Sequence, residues 1–333
     1  APSDLITMLQ MTNLYFTAPR RDRAAFLSFK NRTAASLRNR DARPEAALSD
    51  SFKLILGRHH YRSRPVTEEV LSHTDLDKAF AFYRQRFADA GGFTFILVGS
   101  FTPDSIKPLI ETYLGSLPNL KRKARWKDDG IRYPEGVNER AIAKGIEPKS
   151  TVRMAFPAEF NWNQRERLTV YALTEYLDIK LREVMREDKS GAYSIWAYAQ
   201  PTAEPAPQCL VNIGFGCAPE RADELTATVF SLIDSLRQNG ISDEYLAKVK
   251  EINLKEWETN IKDNSYWSRV LFQYFRYNED PAKILKYPDL VNGLTAEDIR
   301  QAALKYLDPK RYVKIALFPE QKDEGWQKLE IGK

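Results

Sequence analysis

Thiol and imidazole metal ligands are scarce in this 333-residue chain, which has two cysteines and three histidines. His59 and His60 are adjacent, so they point apart in most backbone conformations, and His73 has only Glu69 at helical i, i+4 spacing. Two ligands do not hold zinc, and neither His-x-x-Glu-His nor Cys-x-x-Cys occurs. The lack of a Gly-x-Ser-x-Gly elbow argues against a serine hydrolase of the common α/β type. No apolar run reaches the roughly 18 residues of a membrane span, and the N-terminus lacks a charged-then-apolar signal pattern. The chain opens Ala-Pro-Ser-Asp without an initiator Met, as a mature product or a fragment would. An excess of one charge is also missing: 50 basic and 45 acidic residues are interspersed, for a net charge of +5. That balance suits an ordinary solvated surface and no nucleic-acid platform. The densest basic run, residues 121–125, is followed at once by Asp128-Asp129 and reads as a solvated linker. Cys209 and Cys217 lie eight residues apart on one expected strand, beyond disulfide reach, and are expected to be small buried residues.

What is present is enough for two cores. The length exceeds the usual size of one hydrophobic core, and 43% of the residues are apolar. Residues 4–57 read mostly as helices, broken at Pro19 and Pro44. Residues 75–89 form another amphipathic helix with Thr74 as its expected cap, then Phe93 to Val98 reads as a strand, and Pro103 opens a further helix. The same order of capped helix and strand returns late, from Leu294 through Leu307 and then Tyr312 to Phe318, which suggests an internal repeat. Between the repeats, residues 119–138 are charged and aperiodic and read as a linker. The second unit then offers strands at 140–144, 150–156, 192–200 and 209–216. A long helix is expected over 163–185, with others near 219–238 and 243–262.

Elements grouped in blocks predict an α+β fold with two related sandwich domains, a mixed or antiparallel sheet covered by helices in each. The first unit has helices but one convincing strand, so it reads as incomplete at its N-terminus. Its missing strands are expected to precede Ala1 or to come from another chain. Gly214-Phe-Gly216-Cys-Ala-Pro219 superficially suggests a dinucleotide turn, but Pro219 replaces the third glycine and no βαβ unit surrounds it. A plain strand-to-helix turn is expected there.

Arg186 and Tyr193 carry the functional signal. Taken singly, Arg186 would complement a helix C-terminus and Tyr193 would be a packed strand aromatic. Together, with Gly191 between them and Tyr193, Ile195, Ala197 and Ala199 alternating along one strand, they can aim a guanidinium and a phenol at a peptide carbonyl. Trp196 and Tyr198 would line the opposite face, packed under helices.

Residues 185–194, Met-Arg-Glu-Asp-Lys-Ser-Gly-Ala-Tyr-Ser, resemble the Arg-Glu…Ala-Tyr-Ser segment in the non-zinc half of the insulinase and pitrilysin family of zinc metallopeptidases. Residues 14–20, 93–99, 113–118 and 264–267 resemble its bacterial PqqL-like branch. The resemblance implies four related α+β domains in the full protein, the first with a His-x-x-Glu-His zinc site, the fourth supplying an arginine and a tyrosine that face it. Residues 1–120 then correspond to the latter part of the third domain, 121–138 to a linker, and 139–333 to the fourth. Arg186 and Tyr193 occupy the family positions at the family spacing. The implied function is the substrate-binding half of a zinc endopeptidase, inactive by itself. Zinc and general base would come from an N-terminal half, and a peptide or small protein would be the substrate. The implied setting is the bacterial periplasm, with the cytoplasm as the alternative. A second reading is a catalytically silent structural or protein-interaction domain of the same family.

Overall fold

The structure is a computed structural model that describes residues 2–122, 126–188 and 190–320. Part of the basic linker run, residues 123–125, lies outside the described residues. In chain order the helices are α1 (Leu5–Thr17), α2 (Arg23–Asp41), α3 (Pro44–Leu56), α4 (Glu68–Ser72), α5 (Leu76–Phe87), α6 (Pro103–Tyr113), α7 (Gln164–Arg182), α8 (Ala222–Asn239), α9 (Asp243–Asn260), α10 (Asn264–Arg276), α11 (Tyr287–Asn292) and α12 (Ala296–Tyr306). The strands are β1 (Val137–Ala143), β2 (Ser150–Glu159), β3 (Ala192–Thr202), β4 (Gln208–Cys217) and β5 (Tyr312–Phe318). The chain divides into two compact units that interleave in sequence. One comprises Ala1–Arg38, Val66–Lys127 and Glu258–Ile284; the other comprises Asn39–Pro65, Asp128–Trp257 and Leu285–Lys333.

The second unit is a mixed five-stranded sheet in the order β1-β5-β2-β4-β3. β1 and β5 run parallel and the other neighbours antiparallel. Strand alternation sends Val152, Met154 and Phe156 of β2, with Val211, Ile213 and Phe215 of β4, into one core. Leu173 and Leu177 of α7, Val229 and Ile233 of α8, and Ile299 and Ala303 of α12 close over them. Each such fully buried apolar side chain contributes about 1.5–3 kcal/mol relative to exposure. The other sheet face meets α3, whose Leu48 and Phe52 pack on Ala155, Val313 and Ile315. Proline at the first turn of α3 starts the helix instead of breaking it, since its missing N–H would have no partner there. Thr295 and Asp298 cap α12 reciprocally, as the sequence pattern predicts.

The first unit is helical. α1 meets α6 through the Asn13 amide, which donates to the Tyr113 carbonyl at 2.7 Å. It meets α5 through the Tyr83 hydroxyl, which donates to the Tyr15 carbonyl at 2.8 Å. Phe16 packs edge-on against Phe87 and Phe93 at 5.0 and 4.9 Å. The expected strand from Phe93 to Val98 is corrected: the run has no ladder partner among the described residues. Together with α1 and α10 it borders a cavity of about 610 Å³. Asp75, not Thr74, caps α5, its side chain accepting the Lys78 N–H at 2.8 Å.

Candidate functional site

α7 carries the first of the two expected site residues to its place. Asn163 caps its start by accepting the Glu166 N–H at 2.8 Å, and Leu173, Leu177 and Leu181 bury its inner face. The helix then widens into a π-helical turn, Glu183–Asp188, a distortion frequent at functional sites. Met185 inside that turn is fully buried and Arg186 is exposed. Glu183 pins the turn to α9: the Tyr245 hydroxyl donates to its carboxylate, with Lys180 at 3.3 Å and Lys248 at 3.5 Å. Burial penalises the Glu183 charge, but the bonds from Tyr245 and Lys180 outweigh that cost and hold its carboxyl below the ordinary range.

The connection from α7 to β3 is fixed by backbone geometry. Ser190 takes a left-handed φ of 48°. The Gly191 N–H donates to the Met185 carbonyl at 3.0 Å. A Cβ on Gly191 would come within 2.8 Å of the Arg221 guanidinium, which Glu224 holds at 3.1 Å. A side chain at this position would have to displace that guanidinium. Neither the π turn nor Arg221 was anticipated from the sequence. Gly191 was visible between the two site residues, but no local pattern places a residue thirty positions on against it.

A β-bulge between Ala192 and Ser194 then decides where Tyr193 goes. Regular alternation would place Tyr193 on the face of Ile195, Ala197 and Ala199, which packs against the main core. The bulge gives that face to Ala192, which is buried, and leaves Tyr193 66% exposed. β3 is an edge strand, and Asp178 of α7 docks it by accepting the Ala197 N–H at 3.1 Å. Among the described residues neither the Arg186 guanidinium nor the Tyr193 hydroxyl has a hydrogen-bond or ion-pair partner. The side chains of Glu187, Asp188 and Lys189 lie outside the described residues. The arrangement offers an unengaged cation and an unengaged phenolic donor at the two ends of one anchored connection.

One expectation for this strand is corrected. Trp196 and Tyr198 do not pack beneath the α7, α8 and α12 layer; they face the other side of the sheet, where Tyr198 is 41% exposed. Gly214 and Gly216 belong to β4, within the expected strand 209–216, and the connection to α8 follows at Ala218. A Cβ on Gly214 would lie 2.0 Å from the Trp196 indole, so glycine there makes room for the ring.

Other candidates are structural. Cys209 and Cys217 are buried thiols, pushed up to about 12 and about 11 by burial, and are no nucleophiles at neutral pH. His60 accepts the Arg62 N–H through Nδ1 and so caps a turn. Among the described residues no group of three or more His, Cys, Asp or Glu could hold a metal ion. A catalytic zinc therefore does not fit the residues described.

Residues 74–253 match the family profile described as the peptidase M16 inactive domain. The chain is similar to a zinc protease PQQL-like protein of Arabidopsis thaliana, 24% identical over 97% of this chain and 37% of that protein. It resembles in fold the crystal structure of the periplasmic protease PqqL from Escherichia coli, with a TM-score of 0.81 at 21% identity, covering 96% of this chain and 35% of that one. It also resembles the first half of that same protease, with a TM-score of 0.74 at 13% identity, covering 96% of this chain and 71% of that one. The chain spans 26–37% of the length of the curated relatives it matches.

Proposed function

The chain belongs to the peptidase M16 family, matched over its inactive domain, and on that premise we propose that it is the C-terminal, substrate-binding half of a zinc endopeptidase. In this reading an N-terminal half supplies zinc and the general base, and this chain by itself does not cleave. Residues 1–120, 121–138 and 139–333 are proposed as the latter part of a third family domain, a linker and a fourth domain. The observation that carries the reading is the bulge that turns Tyr193 out of its strand, its hydroxyl unengaged among the described residues, beyond an anchored turn that contains Arg186.

The chemistry follows from charge. As a peptide carbonyl is attacked, its oxygen becomes negative, and a donor already aimed at it stabilises the transition state more than the ground state. Tyr193 donates to that oxygen. Arg186 orients the phenol or grips a neighbouring substrate carbonyl, its fork of N–H groups suiting acceptor oxygens. Removing one such donor typically costs about 2.7–4 kcal/mol, or roughly 10²–10³ in turnover.

The substrate is a peptide or small protein. The periplasm is the proposed setting, by likeness to the Escherichia coli protease of that name. No helix among the described residues is long and apolar enough to cross a membrane. The test is Tyr193→Phe in the full-length protein containing the zinc half, with kcat measured and folding checked by circular dichroism. Turnover should fall about 10²–10³-fold. Wild-type turnover would overturn the catalytic role and favour the silent-domain reading.

A further inference from the structure

We propose that Arg153 forms a subsite for a peptide carboxylate on the sheet face opposite the main core. The proposal rests on the reading of this chain as a peptide-binding half. In register across the sheet, one row contains Arg140, Ile315, Arg153, Gly214 and Trp196. Directly paired residues share a face, so these side chains stand on the side that α3 partly covers.

Arg153 is held without being neutralised. Its guanidinium carbon lies 4.6 Å from the Phe52 ring centroid and 5.6 Å from that of Trp196. Two aromatic rings orient the planar group and leave its N–H donors for an acceptor. The Nε atom is buried and has no hydrogen-bond partner among the described residues. A buried charged donor without an acceptor is uncommon in folded proteins, so it needs an explanation.

Among the described residues, no carboxylate in the adjacent rows of this face competes for it. The two flanking rows contain Asn138, Val313, Ala155, Asn212 and Tyr198 on one side and Ile142, Leu317, Thr151, Gly216 and Ser194 on the other, with no Asp or Glu. The acidic residues of α3 are engaged elsewhere. Asp50 pairs with Arg40, and Glu45 lies 3.6 Å from Lys149. Arg140, exposed and without an ion-pair partner among the described residues, adds positive potential to the same row. A carboxylate accepting from the two terminal nitrogens would make a bidentate, charge-assisted pair and supply the counter-charge that the guanidinium lacks. It can come from a peptide C-terminus or from an Asp or Glu side chain.

The test is calorimetric titration of the 333-residue chain with two peptide pairs. One pair has a free or an amidated C-terminus; the other is amidated throughout and has an internal Asp or Asn. For at least one pair the carboxylate member should bind about tenfold more tightly, in keeping with hydrogen bonds to a charged group. The pair showing that preference identifies the source. The preference should vanish in Arg153→Gln and persist in part in Arg153→Lys. Equal affinity within both pairs, no binding by any of the four peptides, or an undiminished preference in Arg153→Gln would overturn the proposal. The wild-type comparison decides even if a variant fails to fold. Tyr193→Phe should leave the preference intact, so failure of the catalytic reading and failure of this subsite give different results.

Discussion

Phe93–Val98 in the first unit and Tyr312–Phe318 in the second are near-equivalent stretches of sequence with opposite fates. Both are apolar, β-rich and preceded by a capped amphipathic helix. Tyr312–Phe318 becomes β5, with β1 on one side and β2 on the other, and Val313 and Ile315 are fully buried. The run from Phe93 to Val98 has no ladder partner among the described residues, and Phe93 and Phe95 remain exposed. A strand exists only where neighbours accept and donate its backbone hydrogen bonds. Local propensity for extended backbone selects the candidates, and the partner decides among them.

Hydrogen exchange should separate the two runs most widely. Amides of residues 312–318 should exchange at least about a hundredfold more slowly than those of 93–98, because only the former sit inside a ladder. Similar protection in this chain would break the comparison. In denaturant unfolding, Ile315→Ala should cost about 2–5 kcal/mol, as a fully buried side chain in a packed core does. Ile96→Ala, at a half-buried and unpaired site, should cost less than about 1 kcal/mol. Equal costs would mean that the run from Phe93 is as firmly packed as β5.

Within the sheet unit, Gly214→Ala should destabilise by about 1–3 kcal/mol, since the new methyl would overlap the rigid Trp196 ring. A thermal midpoint equal to that of the wild type would mean that Trp196 swings away without loss. Smaller still is the acid response of Glu166. Burial penalises its charge, but bonds from Lys305 at 2.6 Å and from the Tyr306 hydroxyl overcome this and leave its carboxyl below the ordinary range. A carboxyl depressed in the folded state adds stability above its unfolded value of about 4.3, and loses that contribution as pH falls through the folded value. Glu166→Gln should therefore be less stable than wild type at pH 7, with the gap closing at acidic pH; a gap independent of pH would refute the ion-pair account. In the helical unit, the exposed Arg21–Asp77 pair at 2.6 Å is the smallest case: Asp77→Asn should leave the thermal midpoint unchanged within error.

Much of the sheet unit was legible from residues alone. Local pattern located all five of its strands, the Thr295 cap located α12, and the apolar face of residues 163–185 located α7, because each signal lies within one element. The boundary between compact units was not legible. α3 looks like one more helix of the N-terminal block, yet Leu48 and Phe52 complete the far face of a sheet whose first strand begins at Val137. At the site, Arg186 and Tyr193 were visible as a spaced pair, while the bulge, the π turn and Arg221 over Gly191 were not. Each of these depends on a residue distant in sequence.

By itself the sequence determined which segments are helical, which are extended, and that this chain has few cysteines and histidines. Those properties follow from periodicity, caps and composition, which act within a few residues of the chain. Tertiary structure alone decided whether an extended run gains a ladder, and which face of the sheet α3 covers. It also decided that Tyr193 leaves the buried face while Ala192 takes its place. These outcomes are set by long-range pairing register and by space, and the register of β3 on β4 shifts at the bulge that exposes the phenol.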